Sequence, residues 1–269
     1  MSTDLDTTTA PAVGGTSAGQ PAPTALEGRP GVPFGRTLRA ELRKMVDTRA
    51  GFWMIVAMTA IAAIILVAVV IWGSADDSSF SGLLQLATLP MAMVLPILGV
   101  MAATAEWSQR TGLVTFTLEP RRGRVVLAKA LASLAFAAVV LAFAFVASAL
   151  VNVVAGTGEW DLPLAAAGGI TLALMLYVLQ GVAFGLLFLN TPIAIVAVLV
   201  LPSVWSIATT LVSSLEDAGA WLNLDRVTVP LFAGEMGGQD WAQLATGVAA
   251  WVLLPLAVGT WRVLNREVK

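Results

Sequence analysis

Glu106-Trp107-Ser108-Gln109-Arg110-Thr111-Gly112, then Leu113 to Leu118, then Glu119-Pro120-Arg121-Arg122-Gly123-Arg124, is the stretch that decides how this chain is read. It belongs to Ala105 to Lys129, the only strongly basic segment between hydrophobic runs. Five of the fifteen Lys and Arg residues sit there: Arg110, Arg121, Arg122, Arg124 and Lys129. Apolar runs of membrane length flank it on both sides. A basic loop between two spans stays on the cytosolic side, where a soluble partner can push on the membrane part.

Composition agrees with a membrane chain. The 269 residues are 58% hydrophobic and 12% charged, with a mean hydropathy of +0.85, whereas ordinary soluble domains are roughly 45–50% apolar and about 25% charged. There is no cysteine and no histidine. Disulfides, thiol chemistry, haem and nearly all zinc sites therefore fall away, as does every catalytic dyad or triad built on imidazole.

Working outward, six apolar runs are each long enough for a helix of about 20 residues to cross a bilayer: roughly Phe52–Trp72, Leu83–Thr104, Ala130–Val154, Leu162–Leu189, Pro192–Leu215 and Trp241–Leu264. With the N-terminus inside, fourteen of the fifteen basic residues fall on the cytosolic side and only Arg226 falls outside. The outer segments carry Asp76, Asp77, Glu159, Asp161, Glu216, Asp217, Asp225, Glu235 and Asp240. The positive-inside rule thus selects an all-α integral membrane protein with six spans and both termini cytosolic. Trp53, Trp72, Trp107, Trp160, Trp221, Trp241 and Trp261 lie near span boundaries, as an aromatic belt requires; Trp205 and Trp251 lie mid-span and need another reason.

Residues 1–33 are rich in Thr, Ala, Gly and Pro and read as a disordered cytosolic tail, without a signal peptide. Phe34, Leu38, Leu42 and Met45 make one apolar helical face, with Arg36, Arg39, Glu41, Arg43, Lys44 and Asp47 on the other faces. Residues 34–50 are therefore expected to form an amphipathic helix in the membrane interface, leading into a permease domain over 51–269. Asn190-Thr191-Pro192 reads as a tight cytosolic hairpin, Thr191 capping the fifth span and Pro192 opening it. Gly181 and Gly185, four apart, offer a face for close helix approach. The outer segment 213–240 is amphiphilic and suggests short helices resting in the outer leaflet.

Glu106-Trp107, Arg110-Thr111, Pro120-Arg121-Arg122-Gly123-Arg124-Val125 and Lys129 resemble the membrane-spanning subunits of type-2 ATP-binding-cassette exporters. Those subunits typically carry Glu, an aromatic, two residues and Gly-Thr, then a short apolar stretch, Pro with basic residues, and a Lys opening the next span. The likeness extends over residues 34–269 through the six spans, the preceding amphipathic helix and the hairpin. It departs at Arg110, where the family has Gly, with Gly112 displaced from that place. The resemblance implies a permease half that pairs with a second half and docks on cytosolic ATPase subunits through a coupling helix in the first cytosolic loop, residues 105–129. The coupling residues it implies are Glu106, Trp107, Arg110, Thr111, Phe116, Pro120, Arg121, Arg122 and Arg124. ATP and magnesium would be held by the partner, because the chain has no Gly-x-x-x-x-Gly-Lys-Ser/Thr loop; no metal and no catalytic residue is expected in the chain itself.

The residues themselves leave some choices open. Val114 to Leu118 alternates apolar residues with Thr, a strand period, yet a lone strand would lack a partner, so a short helix is expected. Arg121, Arg122 and Arg124 serve equally as topology determinants with anionic lipid contacts or as docking residues. Glu106, a carboxylate at the end of a span, calls for a basic residue of the amphipathic helix or of this loop. Gln85, Met91, Ser203, Trp205, Ser206 and Thr209 are candidate lining for a pathway taking an amphiphilic or hydrophobic substrate, although Ser and Thr also bond their own helix backbones. An exporter permease of the plasma membrane, multi-pass and in contact with lipid but not nucleic acid, is the favoured function. A non-transporting scaffold and a secondary transporter are the alternatives. Proton coupling is disfavoured by spans without ionisable centres, and an intramembrane enzyme by the lack of a nucleophile and base.

Overall fold

The structure, a computed structural model, describes residues 32–74, 77–109, 111, 115, 119, 121–155 and 157–265. All regular structure among them is helical. Helix α1 spans Phe34–Asp47, α2 Arg49–Trp72, α3 Phe80–Ser108, α4 Arg122–Val154, α5 Leu164–Phe188 and α6 Thr191–Leu211. A 3₁₀ turn, Ser213–Leu215, leads to the short helices α7 (Glu216–Leu222) and α8 (Leu224–Ala233). The last long element is composite: α9 (Gly238–Val248), a π-helical segment (Ala249–Leu253) and α10 (Leu254–Asn265). Among the described residues, six elements are long and apolar enough to cross a membrane: α2, α3, α4, α5, α6 and the composite Gly238–Asn265. The 1–31 part of the expected tail lies outside the described residues.

Helix ends follow from local chemistry. Thr48 Oγ1 accepts from Gly51 N at 3.1 Å and opens α2, and Ser79 Oγ accepts from Gly82 N at 3.3 Å and opens α3. The hairpin between α5 and α6 differs from expectation in its cap. Asn190 Oδ1 accepts from Ile193 N at 3.1 Å, which leaves the Thr191 hydroxyl free to bond Thr104 Oγ1 at 2.7 Å. Leu189 closes α5 in the left-handed region, at φ 53°, and the turn is correspondingly short. The basic loop is shorter than 105–129, because α3 runs through Ser108 and α4 begins at Arg122 rather than near Ala130.

Two helices form the interior. In α5, 72% of the apolar stretch is buried, and in α3 56%, against 17% for α2 and 22% for α6. Leu84, Leu95, Leu98, Ile170, Leu174 and Val178 lie in the largest core cluster. Glycines let α3 and α5 meet backbone to backbone. A Cβ on Gly181 would run into the Pro96 carbonyl, one on Gly99 would lie 2.8 Å from Val182 N, and one on Gly185 would lie 2.6 Å from the Ala103 Cβ. The small-residue face read from Gly181 and Gly185 is therefore used, and Gly99 is its counterpart on α3.

At the opposite end of the bundle from α1, α8 packs on α5 through Leu224, Val227 and Leu231, and the Tyr177 and Thr228 hydroxyls meet at 2.9 Å. Trp251, in the π-helical segment, donates its indole N–H to Leu222 O at 2.6 Å and stacks against Phe184 with centroids 6.4 Å apart. That bond accounts for one of the two mid-span tryptophans.

Candidate functional site: a buried charge cluster and the cavity beside it

Helix α1 packs mainly against α4, with Leu38 and Leu42 against the core cluster and Met45 within it. Glu41 belongs to this covered face at 5% exposure, whereas the sequence reading put it on the other faces of the helix, apart from the apolar one. Its place follows from spacing: Glu41 stands three residues after Leu38 and four before Met45, on the same helical stripe.

A carboxylate buried there requires partners, and two lysines supply them. Lys129, 3% exposed on α4, donates to Glu41 Oε2 at 2.9 Å, lies 2.7 Å from the Glu106 carboxylate, and donates to the Ala102 carbonyl at 2.9 Å. Lys44 donates to Glu41 Oε1 at 2.6 Å and to Glu106 Oε1 at 2.9 Å. Four groups of alternating sign thus close a neutral ring that ties α1, the end of α3 and the start of α4 together. Burial opposes the Lys44 charge, but the Glu106 and Glu41 carboxylates outweigh it, and its pKa stands above the ordinary lysine value. Lys44 is consequently charged throughout the physiological range.

The ring sits beside the connection between α3 and α4. Thr111 N donates to Glu106 O at 3.0 Å, tying the start of that connection to the Glu106 backbone. Farther along, Thr115 N bonds Thr111 O at 3.1 Å and Glu119 N bonds Thr115 O at 3.0 Å, and Thr115 is helical. Both bonds run from i+4 to i; residues 112–114 and 116–118, on which the expected short helix mostly falls, lie outside the described residues. Arg110, Phe116 and Pro120 lie outside the described residues. Trp107 packs in a second cluster with Ala103, Val126 and Leu186. Arg124 is held internally: it pairs with Glu119 at 3.3 Å, donates to Val32 O at 3.1 Å and lies 5.9 Å over the Phe34 ring. Arg122 donates to Val263 O at 2.9 Å, fastening the last helix to this end of the bundle. Arg121 is exposed at the head of α4.

Next to the ring lies a cavity of about 400 Å³ between α1, α2, α3, α4 and the first turn of α6. Its walls are mainly apolar, from Met45, Met54, Leu98, Met101 and Ala132, with Glu41, Lys44, Lys129, Thr48 and Thr191 among the polar groups. The candidate pathway residues lie elsewhere. Gln85 and Ser203 are exposed, Met91 is in the core cluster, Trp205 and Ser206 are half-buried, and Thr209 is buried. None of them lines this cavity. Ser203 and Thr209 donate to Leu199 O and Ser206 O, at 2.8 and 3.0 Å, satisfying their own helix. Among the described residues no group of His, Cys, Asp and Glu is placed to hold a metal ion. Comparison with known proteins finds no matching family model and no matching curated relative.

Proposed function

We propose that this chain is the membrane-spanning permease subunit of an ATP-binding-cassette exporter, paired with a second permease half and driven by a separate ATPase that binds ATP and magnesium. The observation that supports it most is the neutral ring of Glu41, Lys44, Glu106 and Lys129. It joins the helix before the first span to the two helices that bracket the 109–121 connection. A push on that connection would move α3 and α4, and α1 with them, as one body. In this reading both termini are cytosolic, α1 lies along the cytosolic interface of the plasma membrane, and α7 and α8 lie at the outer face. The cargo is amphiphilic or hydrophobic, because the walls available to it are mainly apolar.

The test is an interface substitution that spares the bundle. Phe116→Asp places a charge where the coupling segment would seat an apolar anchor on the ATPase, and losing such an anchor costs about 2 kcal/mol or more of association. The ATPase should no longer co-purify, and substrate-stimulated ATP hydrolysis should fall, with the thermal midpoint of the membrane part unchanged. Retention of both by a folded Phe116→Asp protein would overturn the assignment and favour a scaffold.

A further inference from the structure

The cavity beside the charge ring has a chemistry that selects its occupant. Its volume, about 400 Å³, falls in the range of roughly 300–1,000 Å³ typical of small-molecule sites. Met45, Met54, Leu98 and Met101 give it an apolar and adaptable wall, since thioether side chains reshape around varied hydrocarbon. Of the three ring residues that line it, Glu41, Lys44 and Lys129, Lys44 is by far the most open. The Lys44 side chain is 43% exposed, while those of Glu41, Glu106 and Lys129 are 6%, 3% and 4% exposed. Lys44 spends two of its three N–H groups on Glu41 and Glu106, and the third remains for a further acceptor. Glu41 and Lys129 also line the cavity, but each Glu41 oxygen already accepts from a lysine, and Glu106 is not in the lining. The lining therefore offers two ammonium groups against one carboxylate, with hydrocarbon over the rest of the wall.

We propose that this cavity is a binding site for an anionic amphiphile drawn from the adjoining leaflet, its anionic head against Lys44 and its tail between Met54 and Met101. Charge complementarity carries the choice. A cationic head would meet the Lys44 ammonium, and a neutral one would leave its third N–H without a charged acceptor. Helix α1 adds attraction at longer range through the exposed Arg36, Arg39 and Arg43, which concentrate anionic amphiphiles near the mouth. The site stands independently of ATP-driven export, since it requires only α1 and the ends of four spans.

Because the chain has no cysteine, Met101→Cys supplies a single thiol in the cavity wall. Its alkylation by a maleimide in neutral detergent reads occupancy. Oleate should slow the reaction at a concentration about tenfold or more below that at which oleyl alcohol gives the same slowing, the size of a charge-assisted hydrogen bond. Oleyl alcohol, oleylamine and acetate should protect far less. Met93→Cys, exposed on the same helix, should be unaffected by any of them. Adding Met54→Trp to fill the cavity should abolish protection by oleate, and adding Lys44→Gln should bring oleate down to the level of the alcohol. Equal protection by oleate and oleyl alcohol would mark a plain hydrocarbon groove and overturn the proposal. So would protection surviving Met54→Trp, equal slowing at Met93→Cys, or no slowing by oleate at all. Should the Lys44→Gln protein fail to fold, the head-group series and Met54→Trp decide the matter without it.

Discussion

Lys129 spends its ammonium on two carboxylates and one carbonyl, and it does so almost out of contact with solvent. Removing it leaves Glu41 and Glu106 buried with one lysine between them. Lys129→Met should therefore destabilise the protein by roughly 3–5 kcal/mol, the usual consequence of breaking a buried ion pair from one side. Glu106→Gln added to Lys129→Met restores neutrality and should recover much of the loss, as read from thermal midpoints in detergent. An unchanged midpoint in the single variant would mean that water reaches the ring. The need for a partner at Glu106 was legible, since a carboxylate ending an apolar run has few ways to be tolerated. Glu41 was harder to place. Among the charges of α1 it differs only by standing on the apolar stripe, and that matters only once α4 is known to cover the stripe.

Between elements, α3 and α5 approach at Gly99, Gly181 and Gly185 more closely than any side chain permits. Gly181→Leu should cost roughly 1–3 kcal/mol or more, in the manner of an overpacked core, because the obstacle is the Pro96 backbone. Gly168→Ala, on the same helix with open space around its Cβ, should be neutral or slightly stabilising. Equal thermal midpoints for the two variants would contradict the packing. The sequence made the extent of each span readable from the run of apolar residues, to within a turn at most ends. The early start of α4 was the main departure, because Arg122, Arg124 and Lys129 break the apolar run while their side chains reach carbonyls and carboxylates that sustain a helix. The π-helical segment left no clear signal beyond Pro255, which cannot donate to the carbonyl of Trp251.

For the molecule as a whole, the arrangement of charge along the chain predicts its orientation. Reporters active only outside the cytosol should score outside when fused after Asp77, Asp161 or Asp225, and inside after Arg122 or Lys269. An outside signal at Arg122 would bar the 109–121 connection from any cytosolic ATPase. Number and length of spans were readable because both depend on hydropathy alone. Which spans are interior was not. Helix α2, 17% buried, and α5, 72% buried, are both runs of apolar residues, and an apolar side chain suits lipid and protein neighbours alike. The cavity escaped the sequence for a related reason: it is assembled from the ends of elements far apart in the chain.

The ring of Glu41, Lys44, Glu106 and Lys129 fixes how α1 can come away from the bundle. Each side contributes one positive and one negative group, so the two sides meet as a pair of dipoles, not as opposite monopoles. Attraction between dipoles fades with the cube of separation, whereas that between single charges fades with the first power. The grip is therefore strong at contact and nearly gone a few ångströms away. Such a junction behaves as a snap fastener: α1 is either seated or released, with little to hold it halfway.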